Sequence, residues 1–168
     1  MPEGVTFQTL DDMTRALGQL TGPGLEAVSQ RSSLQIGHEL INRLQRYPTR
    51  KSDKVVWASR KQQMWYHAMR REAGLDLRYK RISDPMSQKL RQSWGSQKYG
   101  RTGAIIGNRA TYAHFVQSQE LQQPMHEATG WETDVDAVEY LEKRNLIPRI
   151  VVGNIDKYVK RVMRGMGG

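Results

Sequence analysis

Apolar positions along this chain recur mostly at helical spacing, and the middle of the chain, from Leu77 to the clustered glycines, reads as strand instead. Thr9, Asp11 and Asp12 supply an N-cap and first-turn acids for a short helix from about Asp11 to Leu20, which Thr21-Gly22-Pro23-Gly24 ends. A long second helix follows. Leu25, Val28, Ile36, Leu40, Leu44 and Tyr47 form its apolar side, Gln35, Glu39, Arg43 and Arg46 its wetter sides, and Pro48 stops it. Residues 49–54 are polar and basic and are expected to form a mobile loop. A third helix is expected from Ser59 to Ala73, with Trp57 at its entry, Met64, Tyr66, Ala68 and Met69 available for packing, and Gly74 as its stop.

Beyond Gly74, Leu77 and Tyr79 alternate with Arg78 and Lys80 as in a half-buried strand that breaks at Asp84-Pro85. Leu90 and Trp94 read as one face of a further strand, and Tyr99-Gly100-Arg101-Thr102-Gly103 as the turn into Ala104-Ile105-Ile106-Gly107, so antiparallel pairing is expected. Tyr112 to Gln117 is expected to form a short helix or turn that buries Tyr112, Phe115 and Val116 against the sheet. Val135, Val138 and Leu141 outline another short helix from Asp134, with Trp131 anchoring its start. Pro148 interrupts Leu146 to Val152, and Ile150-Val151-Val152 fits strand or helix equally. The C-terminal helix is the clearest. Asn154 is its expected N-cap, Ile155, Tyr158, Val159, Val162, Met163 and Met166 form one apolar stripe, and Gly165, Gly167 and Gly168 end it.

At 168 residues the chain is expected to form a single domain, although 38% hydrophobic content and a mean hydropathy of -0.71 point to apolar surface completed by neighbouring subunits. The net charge of +9 is segregated. Residues 43–109 hold 17 basic and 4 acidic side chains, residues 110–142 hold 7 acids and no base, and residues 143–168 hold 7 bases and 1 acid. Such blocks either spread over solvated faces or let an acidic patch meet a basic patch of the next subunit. Having no cysteine, the chain forms no disulfide or thiolate metal site. Met1-Pro2-Glu3-Gly4 opens no secretory signal, and no apolar run is long enough to span a membrane, so no membrane partner is expected.

Catalytic motifs fail on inspection. His38-Glu39 begins like a zinc-protease helix, but Asn42 stands where the second histidine belongs, and His67, His114 and His126 are too scattered to complete a ligand set. Gly100 to Gly107 lacks the Gly-Lys-Ser/Thr ending of a phosphate loop. Glu132, Asp134, Asp136 and Glu139 lie at a helix start, where acids favour the dipole. No enzyme activity and no cofactor are expected. Non-specific DNA binding is the rival reading, because residues 43–109 interleave cations with Trp57, Trp65, Tyr66, Tyr79, Trp94 and Tyr99. Arg78, Lys80, Arg91, Lys98, Arg101 and Arg109 are the candidate contacts to DNA or to a neighbouring subunit.

One ordered set of residues carries a resemblance. Trp57-x-Ser59-x-Lys61-Gln62, Ala68-Met69-Arg70, Gly74, Tyr79-Lys80-Arg81, Leu90-x-x-Ser93-Trp94, Tyr112-Ala113-x-x-Val116-Gln117, Gln123, His126 and Gly130-Trp131-x-Thr133 together resemble the minor-tail, tail-completion and virion-morphogenesis proteins of tailed bacteriophages and prophages. Family members often carry Tyr-x-Arg-Thr-Gly-x-Leu-x-x-Ser-Trp; here residues 82–89 stand where the Thr-Gly step falls and read as an inserted loop. The resemblance implies an α+β fold, with a small antiparallel sheet flanked by helices, and a non-enzymatic structural role in the virion neck or tail. It also implies assembly in the host bacterial cytoplasm, a homo-oligomeric ring, commonly sixfold, and portal-side, neck and tail-tube partners. Trp57, Tyr79, Leu90, Trp94, Tyr112, Val116, His126 and Trp131 are its expected structural positions.

Overall fold

A 22-residue helix, α1 (Pro23–Leu44), opens the described part of the chain, with Pro23 at a position whose backbone donor a helix does not use. The structure is a computed structural model, and it describes residues 22–48, 57–77 and 85–164. The further elements are α2 (Arg60–Glu72), α3 (Pro85–Gln92), β1 (Trp94–Tyr99), β2 (Gly103–Asn108), α4 (Ala113–Gln117), α5 (Pro124–Ala128), α6 (Asp134–Lys143) and α7 (Leu146–Arg164). The fold is α+β: seven helices among the described residues and one two-stranded antiparallel sheet, with a long N-terminal and a long C-terminal helix. The helix expected at Asp11–Leu20, the loop 49–54, Arg78 to Arg81 and the terminal glycines lie outside the described residues.

The chain divides into two compact units, one of residues 1–39, 96–105 and 142–168, the other of residues 40–95 and 106–141. In the first, Val28 and Val162 are the buried apolar residues, and beside them a polar seam is closed. Asn154 Nδ2 donates to Ser32 Oγ and to Gln35 Oε1, both at 3.1 Å, and Ser32 Oγ donates to the Val28 carbonyl at 2.9 Å. The same unit docks the hairpin tip on one polar stripe of α1. Glu26, Ser29, Gln30 and Ser33 recur at helical spacing, and they receive Arg101, the Thr102 carbonyl twice and the Gly100 carbonyl. Gly100 makes this turn at φ +57, and a side chain at Gly103 would press to 3.1 Å from the Tyr99 carbonyl.

In the second unit, Leu90, Ala110, Val116 and Trp131 form the buried cluster, with Tyr47, Tyr112 and Ala113 packed against it. Tyr47 meets Trp131 edge to face at 5.9 Å between ring centroids. Ala137 and Leu141 are the inward positions of α6. That helix begins with a capping box: the Asp136 amide donates to Thr133 Oγ1 at 3.1 Å, and the Thr133 amide to Asp136 Oδ2 at 2.9 Å.

Several expectations are corrected here. Leu90 is buried in a helix, not on a strand with Trp94, because Pro85 starts a helix over residues 85–89, the described part of the expected inserted loop, and Met86 and Leu90 share its inner side. Residues 150–152 are helical. Pro148 does not interrupt them, since it is the third residue of α7, where no intrahelical donor is required. The boundary is Asn145, at φ 54, and Asn154 sits buried inside the helix instead of capping it. Phe115, Val135, Val138, Met64 and Ala68 face outward.

Two glycines give opposite expectations. Gly153 lies inside α7 with open space around a would-be side chain, so Gly153→Ala should stabilise the chain by about 1 kcal/mol. Gly100→Ala forces a side chain into the left-handed region and should destabilise by about 1 kcal/mol. Urea unfolding monitored by far-UV circular dichroism measures both, and equal signs would contradict the geometry.

Candidate functional site

The second unit carries a half-open polar cleft of about 410 Å³, lined by Gln119, Gln122, Glu127, Trp131, Glu132 and Asp136 among others. Two of its carboxylates, Glu132 and Asp136, and that of the neighbouring Asp134 make contacts within the unit. Asp136 closes the α6 cap, Asp134 Oδ1 accepts the Gln119 amide at 2.9 Å, and Glu132 is ion-paired with Arg43, whose guanidinium lies 4.0 Å from the centre of the Tyr140 ring. Glu132 Oε2 and Arg43 Nε are nonetheless buried without a hydrogen-bond partner among the described residues. Gln122 Nε2 donates to the Val116 carbonyl at 2.7 Å and the Trp131 carbonyl at 2.8 Å, fastening the cleft floor to the buried cluster. Among the described residues, no three His, Asp or Glu side chains converge as a metal-binding group.

The expected motif residues are mostly scaffold. Leu90, Val116 and Trp131 share the cluster, Tyr112 borders it and donates its hydroxyl to the Met86 carbonyl, and Trp94 donates from Nε1 to Gln117 Oε1 at 3.3 Å. Trp57 stands apart from them, its ring 5.1 Å from Tyr66 and 5.8 Å from His67. Ser59 caps α2 by accepting the Gln62 amide, and Gln62 Nε2 reaches Gln123 Oε1 at 2.6 Å, so two motif pieces far apart in sequence touch. Tyr79, Arg78 and Lys80 lie outside the described residues.

The remaining basic candidates divide between the units. Lys98 and Arg101 belong to the first, Arg101 paired with Glu26 at 3.4 Å; Arg91 and Arg109 belong to the second, Arg91 5.8 Å from the Tyr47 ring centre. All four are exposed. Sequence reasoning assigned no role to Arg70, which is 1% exposed and donates from Nε to the Asp76 carbonyl at 2.7 Å and from Nη1 to the Tyr66 hydroxyl at 3.2 Å. Its register was the available signal, since Tyr66 and Arg70 stand one helical turn apart on the inner side of α2. Comparison with known proteins adds nothing to this geometry: no family model, curated protein or solved structure matches the chain.

His126 is a titratable group that the fold changes. Burial in α5 pushes its imidazole down from 6.5 to about 4, while its carbonyl accepts the Trp131 amide at 3.1 Å and the Thr129 hydroxyl at 2.9 Å. The folded chain keeps the ring neutral where the unfolded chain protonates it. The His126 contribution to stability should therefore be constant above pH 6.5 and fall as pH drops toward about 4, by up to about 3 kcal/mol. His126→Gln should flatten that part of the profile. Imidazole proton shifts by NMR locate the titration directly, and a midpoint near the free-histidine value would contradict the burial.

Proposed function

We propose that this chain is a structural protein of a tailed-bacteriophage or prophage virion, acting in head–tail connection or tail completion within the neck or tail. The observation that carries this reading is spatial. Residues scattered from Gln62 to Trp131, whose order gives the resemblance to tail-completion proteins, engage one another in the second unit as packing and hydrogen-bond partners. A scaffold of this kind suits a protein whose work is done by its surface.

That surface supports the same reading. Ten buried apolar residues are matched by twelve large apolar side chains left exposed among the described residues. Exposed singletons are ordinary, but such a balance is characteristic of chains that finish their burial against partners. Charge segregation supplies register for such contacts. The partners are further copies of the chain and portal-side, neck and tail-tube proteins.

In a phage or prophage that encodes the chain, its deletion should leave filled heads and tails unjoined or tails unfinished, visible by negative-stain electron microscopy and restored by complementation. Normal infectious particles from the deletion would remove the proposal.

A second reading, non-specific contact with DNA, draws on the hairpin of the first unit, where exposed Lys98, Tyr99 and Arg101 set an aromatic ring between cations. It predicts steeply salt-dependent binding of duplex or single-stranded DNA in fluorescence anisotropy, weakened severalfold by Lys98→Glu. Salt-insensitive or absent binding would exclude it.

A further inference from the structure

Two helices of the second unit each leave an apolar stripe uncovered, and the stripes are opposite in charge. On α2, Lys61, Met64, Trp65, Ala68 and Arg71 recur at i, i+3, i+4, i+7 and i+10, all exposed, with Met64 at 65% and Trp65 at 64%. The inner side of the same helix is occupied by Arg70 and the half-buried Tyr66 and Met69, so the outer stripe takes no part in the core. On α6, Ala137 and Leu141 face inward, while Val135, Val138 and Glu139 stand outward at i, i+3 and i+4. Around the α2 stripe lie the cations Arg60, Lys61 and Arg71. The α6 stripe lies on a helix that carries four acids, Asp134, Asp136, Glu139 and Glu142, and one base, Lys143, at its end.

We infer that the outer face of α2 on one copy docks on the outer face of α6 on the next, Trp65 and Met64 covering Val135 and Val138 while Lys61 and Arg71 meet the acids of α6. This deepens the assembly reading above and rests on it, by naming the partner of these faces as a second copy of the chain. The occupant follows from complementarity: a large aromatic and a thioether between cations fit two small branched side chains set among carboxylates. Met64 supplies the adaptable volume, and Trp65 the residue type that dominates interface energetics. Two different patches in contact make the interface heterologous. Each copy then offers one face and accepts on the other, so association continues until it closes or runs on as a filament.

Charge reversal tests this with the full chain. Lys61→Glu combined with Arg71→Glu turns the α2 stripe acidic, and Glu139→Lys makes the α6 stripe more basic. Sedimentation velocity should show each variant alone associating severalfold more weakly than wild type, and their mixture recovering association, because the reversed faces then match. Trp65→Ala should weaken association on the order of tenfold or more without lowering the melting temperature of the dilute, unassociated chain, since the ring is already in solvent. Charge-reversed chains that associate like wild type, a mixture that recovers nothing, or a wild-type chain that stays monomeric at every concentration would each overturn the inference. The deletion phenotype is read independently: unjoined particles with a monomeric wild-type chain would remove this interface and keep the assembly role, whereas normal particles with a working interface would do the reverse.

Discussion

One buried amide holds the second unit together. Gln117 is 3% exposed; its Nε2 donates to the carbonyl of Leu44 at 2.7 Å, and its Oε1 accepts Trp94 Nε1 at 3.3 Å. Leu44 is the last residue of α1, where a helix leaves carbonyls without partners, and Trp94 is the first residue of β1. A helix end, a strand start and α4 are thus tied through one side chain. An apolar residue of the same size would leave both groups unpaired in a low-dielectric setting, which costs more than its own burial returns.

This solution recurs because apolar residues are few. With ten buried apolar side chains among the described residues, each unit also relies on polar groups whose partners are specific. Asn154 with Ser32 fixes α7 against α1 in the first unit, while Arg70 gathers the Asp76 carbonyl and Thr133 joins α6 to Gln119 in the second. Apolar contacts tolerate sliding and repacking; a buried amide with two partners 3.1 Å away does not. The fold therefore takes its uniqueness from hydrogen bonds more than from packed volume.

That division explains what the sequence made legible. Periodicity outlines α1, α2, α6 and the C-terminal half of α7, and the turn at Gly100 marks the hairpin, because these depend on local spacing and on one backbone conformation. The state of Leu90 is not legible locally, because Leu90 and Trp94 stand four apart, a spacing that suits a helix face as well as a strand face, and a proline can break one element or start another. Asn145 and Asn154 have the same side chain, yet one ends a helix and the other is buried within one; only the tertiary partners Ser32 and Gln35 distinguish them. For the candidate site, the motif residues were legible as a set, whereas the roles of Arg70, Gln117 and Gln62 were not, since a hydrogen bond between distant residues has no period.

A core built this way also shapes what the surface does. Polar partners inside each unit satisfy the backbone and fix register, but they return little free energy, because each replaces hydrogen bonds to water. Trp65, Met64 and Leu121 remain exposed, and under the proposed assembly role their burial by association would be a large favourable contribution. Anything that binds the folded state alone stabilises it by mass action, so folding and assembly are linked even where no side chain is shared between them. Substituting an exposed residue of α2 would then change the stability of the assembled protein while leaving the isolated chain unaffected. Core substitutions should change both. The separation of those two effects, more than any one contact, distinguishes a chain whose surface is its function from one whose surface is merely solvated.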